Sequence, residues 1–136
     1  MEGRVIIKRN GEVVAEKENL IVNSGVEQLA KLINGESTIS FNYMGIGTSA
    51  TTPSSTQTSL GSQVAIVKTT NSLATTRVSN DTCLFQATFS FSTSYALTEI
   101  GLFTSSTSGI MLNRTLIGTV NVSSGIDVSV LWQVVV

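Results

Sequence analysis

Nine carboxylates, eight Lys or Arg side chains, one thiol and no imidazole are the groups with which this 136-residue chain could do chemistry. The absence of histidine removes Ser-His-Asp and Cys-His activation of a nucleophile. One cysteine without histidine also cannot build a tetrahedral zinc shell. The carboxylates are Glu2, Glu12, Glu16, Glu18, Glu27, Glu36, Asp81, Glu99 and Asp127, without the Asp-x-Asp spacing of a calcium loop. A carboxylate pair of the glycosidase kind stays open on sequence grounds, but Glu99 and Asp127 lie in strand-like contexts with no visible cleft. The expectation is a protein that is not an enzyme, with no catalytic residue, cofactor or metal.

Glu99 stands out among the acids. It lies in an apolar run and shares a strand face with Leu97, Gly101 and Phe103. A carboxylate buried there needs a partner. Arg114, across the polar tip 104–109, is the natural one, so the spacing predicts an internal Glu99–Arg114 pair closer than about 6 Å rather than a ligand site. Gly45-Ile46-Gly47-Thr48-Ser49-Ala50 spells the dinucleotide-binding fingerprint in its Gly/Ala form. That fingerprint needs a helix to receive the phosphate, and Thr51-Thr52-Pro53-Ser54-Ser55 follows instead. The match is read as accidental, with the glycines letting neighbouring backbone approach. Cys83, among alternating apolar residues, reads as a small core side chain rather than a reactive thiol. The Asn-x-Ser/Thr triplets at Asn80, Asn113 and Asn121 read as chance in a Ser/Thr-rich chain.

The elements that must position these groups are mostly strands. At the carboxyl end Ile126, Val128, Val130, Trp132, Val134 and Val136 fall two apart, one apolar face of a strand. Cys83, Phe85, Ala87, Phe89 and Phe91 repeat the pattern, with Gln86, Thr88 and Ser90 on the wet side. Phe85, Phe89, Phe103 and Trp132 are the expected core anchors. Asn10-Gly11 marks a two-residue hairpin turn between residues 4–9 and 12–22. Ser24 with Glu27 fits a capping box, and Val26, Leu29, Ala30 and Ile33 form the apolar stripe of a helix over 24–34 ended by Asn34-Gly35. Further strands are expected at 39–47, 97–103 and 110–122, the last bent at Gly118. Runs 63–70 and 73–79 read as a hairpin around Asn71-Ser72. Between the 39–47 strand and the 63–70 run lies a proline-bearing loop, 48–59, expected to be exposed and irregular, with Thr51, Thr52, Pro53, Ser54 and Ser55 as a candidate contact surface. About nine strands with turn signals every ~8–12 residues indicate an all-β fold. The expected form is one antiparallel β-sandwich over 1–136, jelly-roll-like, with residues 1–22 a hairpin or an arm.

Charged residues make up 12% of the chain, hydrophobic residues 41%, and the net charge is −1. Mean hydropathy is +0.28. Nothing here attracts nucleic acid or acidic lipid, and weak repulsion between copies favours self-association. The first residues hold no apolar run fit for a signal peptide, and no stretch approaches a membrane span. The expectation is synthesis in a cytoplasm without a membrane partner.

A series of short motifs resembles one family. Asn19-Leu20-Ile21-Val22-Asn23-Ser24-Gly25 with Leu29-Ala30-Lys31-Leu32 is similar to the opening of small tailed-phage virion proteins of the tail-fibre or tail-collar kind. Tyr43-Met44-Gly45-Ile46-Gly47-Thr48 leading to Pro53 and Leu60, then Thr98-Glu99-Ile100-Gly101-Leu102-Phe103 and Met111-Leu112-Asn113-Arg114-Thr115, resemble its later segments. Val130-Leu131-Trp132-Gln133-Val134 is similar to its closing strand. The resemblance implies a non-enzymatic structural subunit located in the virion, tail-associated or decorating the head. It would pack against copies of itself, with trimers favoured, and against other virion proteins. A carbohydrate- or receptor-binding module, with Tyr95 or Tyr43 exposed, is the competing expectation. A filament subunit exchanging its amino-terminal strand is another.

Overall fold

Alternating apolar side chains build ten strands and one helix in the computed structural model, which describes residues 2–18 and 20–136. Asn19, which opens the first family-like motif, lies outside the described residues. The strands are β1 (Glu2–Arg9), β2 (Glu12–Glu18), β3 (Leu20–Ile21), β4 (Tyr43–Gly47), β5 (Gln63–Lys68), β6 (Thr70–Ala74), β7 (Thr82–Ser90), β8 (Tyr95–Phe103), β9 (Met111–Val122) and β10 (Asp127–Val135); the helix is α1 (Asn23–Asn34). Two antiparallel sheets of five strands result. Sheet A runs β2-β1-β10-β7-β6, and sheet B runs β3-β9-β8-β4-β5. The all-β sandwich with one short helix is thus the fold.

The carboxyl-terminal strand sits at the centre of sheet A, between β1 and β7. Its Trp132 faces Val5 on one side and Phe85 on the other. Val5, Ile7, Phe89, Val128 and Trp132 meet Met44, Ile46, Leu97, Ile100 and Leu102 of sheet B between the sheets. Trp132 and Phe89 are buried, and each such side chain contributes ~1.5–3 kcal/mol. The hairpin turn forms as its sequence dictates: Asn10 and Gly11 take φ of 48° and 85°, the paired positive values a two-residue turn needs. The amino-terminal stretch is no arm. β1 is bonded on both sides, Val5 and Ile7 are wholly buried, and the Asn10 N–H and side chain bond the start of β10 at Asp127.

Several local expectations fail for tertiary reasons. β5 and β6 are not a hairpin: the chain leaves sheet B after Lys68 and enters sheet A at Thr70, with the Thr69 N–H bonded to the Asn42 carbonyl. The strand expected from residue 39 begins only at Tyr43. The capping box is absent: Val22 is the N-cap, and the Ser24 hydroxyl donates to the Met111 carbonyl on β9 instead. The buried stripe of α1 is also displaced by one position. Gly25, Gln28, Leu29 and Leu32 face inward, whereas Val26 and Ile33 are exposed. Gly25 sets this roll, because a Cβ there would lie 2.3 Å from the Leu112 carbonyl oxygen. Gln28 tolerates burial because its amide donates to Ser37 Oγ and to the Ile39 carbonyl. The C-terminal end behaves as read: Gly35 adopts φ 78°, and Gly35 and Glu36 return N–H bonds to Leu32 and Lys31.

Phe103 is buried but does not join Trp132. It lies on the outer face of sheet B with Val22, Leu60 and Met111, in a second apolar cluster. Sheet B is therefore covered twice, by sheet A within and by the 48–62 segment outside, and this second cover buries Glu99.

Candidate functional site

Along β8, Ile100 and Leu102 point into the sandwich, so Glu99, Gly101 and Phe103 point away from it. Arg114 of β9 stands opposite Gly101, diagonal to Glu99 on the same outer face. The two side chains meet there. Arg114 Nε donates to Glu99 Oε1 at 3.0 Å, and neither side chain reaches solvent. The pair lies on what would be the wet face of the sheet, so the covering loop has to replace the water.

It does so through its backbone. Gly61 N–H donates to Glu99 Oε1 at 2.8 Å; Ser49 and Ser62 N–H donate to Oε2 at 2.9 and 2.7 Å. Both carboxylate oxygens thus accept two bonds each, leaving no free acceptor position for a substrate. The guanidinium extends in the opposite sense. Nη1 donates to the Thr51 carbonyl at 2.7 Å and Nη2 to the Ser49 carbonyl at 3.4 Å. One carboxylate holds three loop amides and one guanidinium holds two loop carbonyls, so the pair fastens both ends of an otherwise irregular loop.

Burial pushes the Glu99 carboxyl up. The Ser49, Gly61 and Ser62 N–H groups, with Arg114, outweigh that, and the carboxyl ends below the ordinary value for Glu. The fit requires glycine in β4: a Cβ on Gly47 would lie 2.4 Å from the Ser62 carbonyl oxygen and 2.6 Å from Glu99 Oε2. The Gly45–Ala50 segment therefore serves close packing, and strand and loop, not a helix, follow its glycines.

Held this way, the tip of the loop faces outward. Thr51, Thr52, Ser54 and Ser55 are exposed and Pro53 is half-buried. The Ser55 carbonyl accepts the Asn23 N–H at the start of α1, so the loop also bridges to the helix. Phe85, Phe89 and Trp132 lie far from this face, between the sheets. Tyr95, expected to be exposed, is half-buried with its ring edge-on to Phe91 at 5.9 Å. Cys83 is half-buried, and burial pushes its thiol up, away from the reactive thiolate. Among the described residues no group of three or more His, Cys, Asp or Glu side chains could hold a metal, and no helix is long and apolar enough to cross a membrane.

Two features carry no single-residue signal in the sequence. Ser49, Gly61 and Ser62 act through amides, which every residue has; only the glycine beside Ser62 hints at a close approach. The second is an apolar pocket of about 330 Å³ at the end of the sandwich, between α1 (Leu29, Leu32), Phe41, Leu73, Phe85 and Val134. Comparison with family models, with curated proteins and with solved structures finds no match to this chain.

Proposed function

We propose that this chain is a non-enzymatic structural subunit of a virus particle, tail-associated or decorating the head, that acts by packing against copies of itself and other virion proteins. One observation carries the non-catalytic reading: the buried Glu99–Arg114 pair, the best-organised polar group of the molecule, is wholly engaged in fixing a loop. A catalytic carboxylate keeps an acceptor position open to the reacting group, whereas Glu99 has both oxygens doubly bonded. What the pair delivers is an outward tip at Thr51–Ser55 on a rigid sheet, a surface made to be touched rather than to enclose a substrate. The ordered series of motifs that resembles small tailed-phage proteins supports the virion assignment. The low charge supports self-association, threefold by that resemblance.

Light scattering of the purified chain at micromolar concentration tests the reading first. The expected mass is a multiple of 14.4 kDa; a stable monomer would end it. Negative-stain images of particles with and without the chain then locate it on head or tail. Particles that lack it and are unchanged in appearance and stability would contradict the virion role.

A further inference from the structure

Four strands form the edges of the two sheets: β2 and β6 in sheet A, β3 and β5 in sheet B. An open edge presents unpaired N–H and C=O groups and will add another strand unless something prevents it. β3 is two residues long. β6 offers only Leu73 and Ala74 as apolar side chains beside Thr70, Asn71 and Ser72. β2 is guarded by charge. Antiparallel pairing of β2 with its own copy about a twofold axis opposes Glu12 to Glu16 when centred on Val14, Glu12 to Glu18 when centred on Ala15, and Glu16 to itself when centred there. Like charges directly opposed disfavour every one of these registers.

β5 has no such guard. It reads Gln63-Val64-Ala65-Ile66-Val67-Lys68, and its four central residues are half-buried with no charge among them. Twofold antiparallel pairing must oppose residues on the same face, so it centres on a residue. About Ile66, that residue meets its copy, Ala65 meets Val67 and Val64 meets Lys68. About Ala65, that residue meets its copy, Val64 meets Ile66 and Gln63 meets Val67. Neither register opposes like charges, and both align apolar, β-prone side chains.

We propose that β5 is a self-pairing edge: two copies of this chain join their β5 strands antiparallel across a twofold axis, merging two B sheets into one continuous sheet. The occupant is a second copy because the edge pairs with itself without opposing like charges and aligns its apolar side chains, and the net charge of −1 offers little repulsion between copies. The inference rests on the reading of the chain as a self-associating subunit and adds the surface used. Twofold pairing yields even copy numbers, so a threefold ring built elsewhere on the molecule would be doubled by it.

The test places single cysteines at Val64, Ala65, Ile66 or Val67 in the full chain carrying Cys83→Ser, with Val14→Cys on β2 as the control. Directly opposed residues lie ~4.5–5.5 Å apart between Cα atoms, within disulfide reach. Mild oxidation is expected to give a covalent dimer with Ala65→Cys or Ile66→Cys and none with Val14→Cys. Val64→Lys is expected to weaken self-association on the order of tenfold, read by light scattering. The four positions and Val64→Lys keep the test decisive if one variant fails to fold. Cross-linking at 65 and 66 no greater than at 14 overturns the β5 pairing. If the wild-type chain still scatters as an oligomer, self-association stands without β5; if it is a monomer, both readings fall.

Discussion

Two carboxylates organise two loops in this molecule, by opposite means. Asp81 sits in the 75–81 turn and accepts N–H bonds from Thr76, Arg77 and Val78 and a hydroxyl bond from Thr82, all within five residues of it. Among the described residues no cation takes part. Glu99 likewise accepts three backbone N–H bonds, but from residues 37 to 50 positions away, and it is closed off from water. The local clamp stays wetted and stands on its own. The long-range clamp removes a charge from water and needs Arg114 to balance it. Both carboxyls are held below their ordinary values. For Asp81 the Thr76 and Val78 N–H groups are the main cause; for Glu99 four donors outweigh burial.

The largest effect expected from breaking this symmetry is at the buried clamp. Glu99→Ala or Arg114→Leu leaves an unpaired buried charge and should cost ~3–5 kcal/mol, a fall in Tm of roughly 10–20 °C by calorimetry. Replacing both together with apolar residues should not restore stability, because the Ser49, Gly61 and Ser62 amides still lose their acceptor; a wild-type Tm in the double variant would show that the loop amides matter little. Gly47→Ala pushes a methyl group against Ser62 and Glu99 and should cost about 1–3 kcal/mol by denaturant unfolding. Asp81→Asn should shift Tm less than either, its main readout being faster tryptic cleavage after Arg77. An Asp81→Asn loss as large as that of Glu99→Ala would erase the distinction.

Acid sharpens the same comparison. A carboxyl held below its ordinary value binds a proton more weakly in the folded chain than in the unfolded one. Its stabilisation is complete above the unfolded value, 4.5 for Glu99 and 3.8 for Asp81, and is lost as pH falls through the folded value. Stability should therefore drop below about pH 4.5 in the wild type, and Glu99→Gln should flatten the first part of that fall. An unchanged acid limb in Glu99→Gln would remove Glu99 from the account.

What could be read from the sequence follows the same division between local and distant contacts. The Asn10-Gly11 turn, the Gly35 cap and the alternation of Cys83 to Phe91 are written in neighbouring residues, and all are present. The Glu99–Arg114 pair was legible because β8 and β9 are joined by a short polar tip, which fixes their adjacency. The departures come from contacts that no window contains. Whether β5 and β6 pair with each other depends on the sheet each one joins, and the uniform apolar run Val64–Val67 carries no alternation to decide it. The roll of α1 depends on the Leu112 carbonyl against Gly25, and the burial of Gln28 on acceptors 9 and 11 residues on. Phe103 is buried as a core anchor, but in the second cluster and not with Trp132, because an apolar side chain carries no sign of which face of a doubly covered sheet it fills.

Hydrogen exchange at three amides tests the central claim most directly. Ser49, Gly61 and Ser62 lie in an irregular segment, yet the account predicts exchange as slow as that of the β8 and β9 amides. It also predicts that Glu99→Gln releases these three while the Thr76, Arg77 and Val78 amides at Asp81 keep their protection. Exchange of Ser49, Gly61 and Ser62 in the wild-type chain at the rate of an open loop would contradict it.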